Sequence, residues 1–441
     1  MRRRWFLTAA VMLGAAASAV AEQAPRVVMI SVDGLMPAYY LEADALGLKV
    51  PHLRRLMREG AYARVTGVLP TVTYPSHTTL ITGVPPRLHG IGANTYFDPE
   101  ERSGGAWRWY AAEVQVPTLV SGARARGIKT GSVSWPVSVG AFADWSVPEF
   151  WRPGSEHRSD LRLLELLASP GVLQEAAADR GRSFGWPLTD DDRTDMAVHI
   201  LKRHRPQLLL LHIFDLDDKE HDFGPMTPEA KQAVEDSDGH IGQVLAALDE
   251  TGLREQTLVA IVSDHGFLPC TQNVRPNALL REAGLLAVNE KGKIVKWQAV
   301  FHSSGGSAAL HLAENAAADT VDRVRALIEK KAADPQNGLR EILDAAAVRD
   351  LGGIDVPLLL SAREGFTLSN TATGEWLAPG TSKGTHGHVP NRPELQASLI
   401  LSGPGVASRG DLGVVRMTSI APTVARILGV ELSREADRPL P

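Results

Sequence analysis

Cysteine is almost absent from this chain. Cys270 stands alone, so no intramolecular disulfide can form. Repeats and low-complexity tracts are absent too. The longest apolar run, Trp5 to Ala17, is too short and too weakly flanked to read as a membrane span. There is no excess of basic charge: 46 Lys and Arg stand against 51 Asp and Glu, for a formal charge of −5. Such a chain has no global attraction for nucleic acid or for anionic lipid. Without disulfides, stability must come from a large core, which 441 residues can bury. That length fits one large domain with an insertion, or two domains.

The first residues predict export rather than structure. Arg2-Arg3-Arg4 precedes the apolar run, and Ala19-Val20-Ala21 follows it as a small-x-small cleavage site. Residues 1–21 therefore read as a signal peptide, and Arg3-Arg4-Trp5-Phe6-Leu7 is similar to a twin-arginine motif. Cleavage leaves residues 22–441, and losing three arginines and no acid takes the charge from −5 to −8. No cysteine lies near the cut to carry a lipid. The expectation is a periplasmic or secreted protein with no stable membrane anchor.

Beyond the signal, short β-branched runs alternate with helical periods. Val27 to Val32, Gln207 to Phe214, Thr257 to Val262 and Ala397 to Leu401 read as buried strands. Helical patterns fall over Pro51 to Gly60, Asp190 to His204, Pro228 to Leu248 and Thr418 to Leu428. The alternation predicts an α/β, doubly wound, mostly parallel sheet with helices on both faces. Residues 268–383 are richer in alanine and charge, hold a helical pattern over Asp319 to Lys331, and read as an inserted cap subdomain within one catalytic domain of residues 22–441.

Three of the strands end in acids: Asp33 after the first, Asp215 and Asp217 after the second, Asp264 after the third. Open α/β sheets bind ligands beyond the carboxyl ends of their strands. One acid there is usually a helix cap. Three, with histidines interleaved, favour a metal site. Five segments carry the chemistry: Asp33-Gly34, Pro70 to His77, Asp217 with His221, Ser263-Asp264-His265-Gly266, and Gly384-Thr385-His386-Gly387. Their three carboxylates and three imidazoles can build two adjacent sites of three protein ligands each, and the imidazoles favour zinc over magnesium or calcium. Thr73 stands just before Pro75, where a helix would start and backbone N–H groups would face an anion. Thr73 reads either as a helix cap or as a nucleophile whose hydroxyl is activated by zinc.

In this order the segments strongly resemble the alkaline phosphatase superfamily, and more narrowly its nucleotide pyrophosphatase/phosphodiesterase branch. PTVTYPSHTTLITGVPPRLHGIGANTY (Pro70 to Tyr96) is similar to that branch's nucleophile region. DLDDKEHDFGP (Asp215 to Pro225) resembles its Asp-x-x-x-His metal segment, and SDHG and THG match the other two. The likeness runs from Val27 to about His388.

The resemblance implies an alkaline phosphatase-like fold and two zinc ions. Asp33, Asp264, His265 and Thr73 would hold one ion, and Asp217, His221 and His386 the other. Thr73 would be the nucleophile of a phosphoric ester hydrolase acting on a small-molecule ester, through a phosphothreonine intermediate. Asn94 would donate to a non-bridging phosphoryl oxygen. Tyr74 would stack on a base or leaving group. Trp135-Pro136, with no Lys-x-Arg after the strand there, matches the phosphodiesterase pattern and adds Trp135 to the substrate wall.

Plainer readings stand beside these: Asn94 as a turn residue, Tyr74 as packing. His388 competes with His386, although the Thr-His-Gly context favours His386. His52, His77, His212 and His302 read as structural or exposed. Ser76 and Glu220 depart from the family's usual asparagine and glycine. The alternatives to a phosphodiesterase are a monoesterase or phosphonate hydrolase using the same site, and a non-catalytic zinc-loaded binding protein. A sulfatase is excluded, since Cys270 heads no Cys/Ser-x-Pro-x-Arg motif.

Overall fold

The computed structural model describes residues 25–152, 159–407 and 409–441. The expected signal peptide, residues 1–21, lies outside them, as does Arg158.

The main sheet has eight strands: β1 (Arg26–Val32), β2 (Ala61–Thr66), β3 (Thr130–Val133), β4 (Trp145–Val147), β5 (Leu208–Ile213), β6 (Thr257–Val262), β7 (Ala397–Ser402) and β8 (Gly410–Arg416). Their spatial order is β8-β2-β7-β6-β1-β5-β3-β4. Every neighbouring pair is parallel except those made by β7, which runs against both β6 and β2. The sheet is therefore mostly parallel, as the alternation predicts.

The reversed strand could not be read from sequence. A run buried on both faces looks the same in either direction.

The central strands are mostly apolar because both faces are covered. On β1, Val28, Ile30 and Val32 face one core while Val27 and Met29 face the other, and β5 and β6 divide likewise. Period-two alternation sends successive side chains to opposite faces. The first face is covered by the helices Pro51–Glu59, Asp190–His204 and Pro228–Glu250, and the second by Thr73–Thr82, Leu119–Ala125 and Ile420–Leu428. All of these but Leu119–Ala125 match helices expected from sequence. Helix 190–204 starts on a capping box, with Thr189 and Asp192 satisfying each other's backbone N–H groups.

Residues 268–383 hold further sheets and a hydrophobic cluster of their own. Ala299–Ser303, Ser307–Leu312, Leu358–Ala362 and Leu339–Asp344 form an antiparallel sheet in that order, packed around Leu280, Phe301, Leu310 and Val324. The predicted helix is Thr320–Ala332. The segment's two ends meet, because Gly384–Thr385 pairs antiparallel with Leu268-Pro269. That pairing returns the chain to the sheet and sets His386 beside His265.

Candidate active site

The acids sit where the strand ends place them. Asp33 directly follows β1. Asp264 follows β6 after Ser263, and Asp217 lies in the first turn of the Asp215–Phe223 helix that follows β5. On that helix Asp217 and His221 are four residues apart and share a face.

Two groups of ligand atoms result, Asp33 with Asp264 and His265, and Asp217 with His221 and His386, the atoms of each lying within 4.8 Å of one another. In the first, His265 Nε2 is 3.1 Å from Asp264 Oδ2 and 3.3 Å from Asp33 Oδ1. In the second, Asp217 lies 3.6 Å from His221 Nε2 and 3.7 Å from His386 Nε2. The groups abut. The His265 and His386 rings stack at 3.6 Å, and Asp217 Oδ1 is 3.9 Å from His265 Nε2.

These atoms fit a metal better than they fit each other. Asp33 Oδ1, Asp217 Oδ1, Asp264 Oδ2 and His265 Nε2 are buried without a hydrogen-bond partner. Burying such groups unpaired costs several kcal/mol, roughly, and divalent cations relieve that cost. Burial, followed by the charges of Asp264 and Asp217, pushes the Asp33 carboxyl well above its usual range. Burial would raise Asp264 as well, but His265, then His77 and His212, hold it well below. Burial and the neighbouring His265 and His221 rings keep His386 well below the usual imidazole range, and its Nε2 lies 3.2 Å from His221 Nε2. The mixture of imidazoles and carboxylates suits zinc.

Each ligand is aimed from behind. His386 Nδ1 donates to the Thr71 carbonyl at 3.0 Å and His221 Nδ1 to that of Gly384 at 3.1 Å, which turns both Nε2 atoms inward. Gly387 permits the His386 placement. Its φ is +87°, and a Cβ there would lie 1.7 Å from the Ser304 carbonyl oxygen. On the inner side His212 Nε2 meets Asp33 Oδ2 at 3.0 Å, while its Nδ1 meets Glu149 Oε2 at 2.9 Å. His77 bridges the Thr73 carbonyl (2.9 Å) and Ser31 Oγ (2.8 Å), and lies 3.7 Å from Asp264 Oδ2.

Sequence reading set His77 and His212 aside and missed Glu149. One signal was available: Ser31 and His212 interrupt the apolar pattern on one face of adjacent strands, where they pair in register.

Thr73 opens the Thr73–Thr82 helix, whose N-cap is Val72 with no side-chain cap bond. Thr73 is therefore not a cap. Its neighbourhood is tied to both groups: Thr71 is bonded to His386 and Gly387, and the Thr73 carbonyl accepts from His77, which lies 3.7 Å from Asp264 Oδ2. Asn94 Oδ1 accepts the Tyr74 backbone N–H at 2.9 Å, which ties the asparagine to that helix start.

Two expected substrate contacts are corrected. Tyr74 is 0% exposed and packs edge-on against Trp107. Trp135 is 1% exposed and packs against His77. A base can stack on neither ring, because no face of either is open. His388 also lies apart from both ligand groups, buried against Gly306.

A model of type I phosphodiesterases / nucleotide pyrophosphatases matches residues 27–388. The chain belongs to that family. Among its phosphodiesterase relatives, human ectonucleotide pyrophosphatase/phosphodiesterase family member 1 is 25% identical over 56% of this chain and 24% of its own length. Human member 5 is 26% identical over 60% of this chain and 50% of its own. The chain thus spans at most about half the length of these two curated relatives. Mouse bis(5'-adenosyl)-triphosphatase is 21% identical over 92% of this chain and 78% of its own.

The solved structure of human ectonucleotide pyrophosphatase/phosphodiesterase 5 superposes with a TM-score of 0.65 at 19% identity, covering 92% of this chain and 96% of that one. Its murine counterpart, solved in an inactive threonine-to-alanine form with AMP, gives 0.66 at 18% identity, covering 93% and 96%. The fold of this phosphodiesterase-family chain is accordingly alkaline phosphatase-like.

Proposed function

We propose that this chain is an exported phosphodiesterase of the nucleotide pyrophosphatase type that holds two zinc ions and uses Thr73 as its nucleophile. One observation carries the reading. Two abutting groups of carboxylate and imidazole atoms, with Asp33 Oδ1, Asp217 Oδ1, Asp264 Oδ2 and His265 Nε2 buried and without a hydrogen-bond partner, adjoin the residues around Thr73. Asp33, Asp264 and His265 would hold one ion, with Thr73 beside it, and Asp217, His221 and His386 the other. Zinc, when bound, supplies Lewis-acid stabilisation of developing negative charge and makes a bound hydroxyl easier to ionise.

The chain's own residues do the rest. Thr73 Oγ1 gives up its proton to solvent water and attacks phosphorus, a P–O bond forms to threonine, and the ester's P–O bond breaks with the pair leaving on the alcohol oxygen, which takes a proton from solvent. Water then attacks phosphorus, the P–O bond to threonine breaks, and a proton of that water returns to Thr73 Oγ1. Asn94 has its Oδ1 engaged with Tyr74 N–H, so its NH₂ is the group left to donate to a non-bridging oxygen. The relatives' names, a diadenosine triphosphatase and an AMP complex, favour nucleotide diesters as the substrate class. No Lys-x-Arg follows β3 to meet a monoester dianion, and Arg152 Nε is bonded to Asp160 at 2.7 Å. Among the described residues no helix is long and apolar enough to cross a membrane.

The test compares kcat/KM for p-nitrophenyl phosphate with that for bis-p-nitrophenyl phosphate or a nucleotide p-nitrophenyl ester, in native chain and Thr73→Ala. Diesters should win by about tenfold, or ~1.4 kcal/mol. Thr73→Ala should abolish turnover while keeping about two zinc ions per chain. Monoester preference would turn the reading to a phosphatase, and an active Thr73→Ala would remove the nucleophile.

A further inference from the structure

We propose that Glu175, His199 and His204 form an additional divalent-metal site, of the zinc class, at the end of the sheet opposite the active site. Their ligand atoms lie within 4.8 Å of one another, the third such group among the described residues. Glu175 comes from the Val172–Arg180 helix, and both histidines come from the Asp190–His204 helix packed beside it. The Nε2 atoms of His199 and His204 are buried, and neither has a hydrogen-bond partner. His199 is 5% exposed, and its Nε2 is 3.7 Å from Glu175 Oε2.

The surroundings prepare these atoms for a cation. Asp179, one turn after Glu175, meets His199 Nδ1 at 2.6 Å. A carboxylate on the far nitrogen fixes the tautomer and leaves the Nε2 lone pair free, as it does behind metal-bound histidines. His204 is held below the usual imidazole range by burial first and then by His199. Trp145 stacks on the His204 ring at 4.4 Å and 11°, which limits its rotation.

A plain Glu175–His199 ion pair would leave His204 Nε2 buried and unpaired, at a cost of roughly 1–3 kcal/mol. One ion satisfies all three groups. Two imidazoles with one carboxylate select zinc-like ions over calcium or magnesium, and Glu175, half exposed, gives an entry path.

The site is remote from catalysis. Asp190, at the other end of the same helix, accepts the backbone N–H groups of Phe214 and Asp215 just ahead of Asp217. Fourteen residues of helix, about 20 Å, separate it from His204. An ion here would staple the two helices beside the β4 edge.

The test uses the full chain as produced, with Glu175→Gln and His204→Ala as variants. Zinc titration should show one more ion per native chain than per variant, with kcat/KM for a diester unchanged within twofold. Zinc added beyond active-site saturation should raise Tm by a few degrees in the native chain only. A zinc-edge anomalous map should place a peak on His199 and His204 Nε2. Glu175→Gln changes a half-exposed side chain, so it tests the site even if His204→Ala folds poorly. Equal stoichiometry in native chain and Glu175→Gln, or an ordered water in place of the peak, would overturn the proposal.

Discussion

The two ligand groups of the active site have equal membership and opposite settings. Asp264 and His265 have no exposed side-chain surface, and Asp33 has 3%. Behind them stand charged or titratable side chains: His212 with Glu149, and His77 with Ser31. In the other group, His221 is 37% exposed and Asp217 16%. Its supports are backbone carbonyls, those of Thr71 and Gly384, with Ser382 Oγ beside the latter. The inner group is thus built into the sheet, while the outer one depends on where the returning chain lays Gly384–Thr385. Ions in the two should differ in how firmly they are held. That difference, rather than ligand number, decides how each group answers to mutation.

The comparison breaks most visibly at Asp264. Asp264→Ala removes a fully buried ligand, and we expect a loss near 10³-fold, about 4 kcal/mol, that added zinc does not restore. Elemental analysis beside kinetics checks it, and recovery in excess zinc would mean the inner group is not the firmer one. His221→Ala should cost less, about 10²-fold or ~2.7 kcal/mol. Here raising free zinc should return part of the activity, because the site is open and two ligands remain. Equal, irreversible losses in both variants would erase the contrast. Finer still is the effect of the supports. Glu149→Gln, acting through His212 on Asp33, should cost about 10–100-fold in inner-site metal affinity or activity. Ser382→Ala should stay within about threefold, since the carbonyl of Gly384 still aims His221. A metal titration of the two variants side by side measures the ratio, and a larger effect at Ser382 would reverse the assignment of supports.

What the sequence disclosed follows from what each feature depends on. β1, β5 and β6 were legible because both faces are buried and, apart from Arg26 and His212, every residue is apolar or small. β2 reads Ala-Tyr-Ala-Arg-Val-Thr with half-exposed alternate positions, β3 is Thr-Gly-Ser-Val, and β4 has three residues, so none offered a run to find. β8 is polar and sits at the sheet's edge. The candidate metal ligands were legible because they follow strands, keep an i, i+4 spacing or, for His386, sit in the Thr-His-Gly segment. Glu149 and His212 were not, because their roles exist only once β1 and β5 are in register. Tyr74 and Trp135 failed for a related reason. An aromatic beside a nucleophile has the same letter whether its ring faces a cleft or a core.

The attachment of β2 has a consequence for the order of assembly. β2 leads toward Thr73, yet it pairs only with β7 and β8. The Thr73–Thr82 helix rests on the Ile420–Leu428 helix, where Pro422 lies against Gly83, and the Asp437 N–H bonds to the Gly83 carbonyl at 3.1 Å. Strands β6, β1, β5, β3 and β4, by contrast, are joined to one another through residues 26–262 alone. A growing chain can therefore form the parallel block and the Asp33, Asp264 and His265 group well before the Thr73–Thr82 helix, held to that block through His77 and Ser31, has its full seat. Loop closure over more than three hundred residues must come first, which makes it a late step. During synthesis at about 5–20 residues per second, the Asp33, Asp264 and His265 group would be in place for several seconds before the packing of the Thr73–Thr82 helix is complete. On the proposed function, the site is complete only when residues 397–437 have clasped the early segment, so a chain caught partway would present metal ligands without a fully seated Thr73.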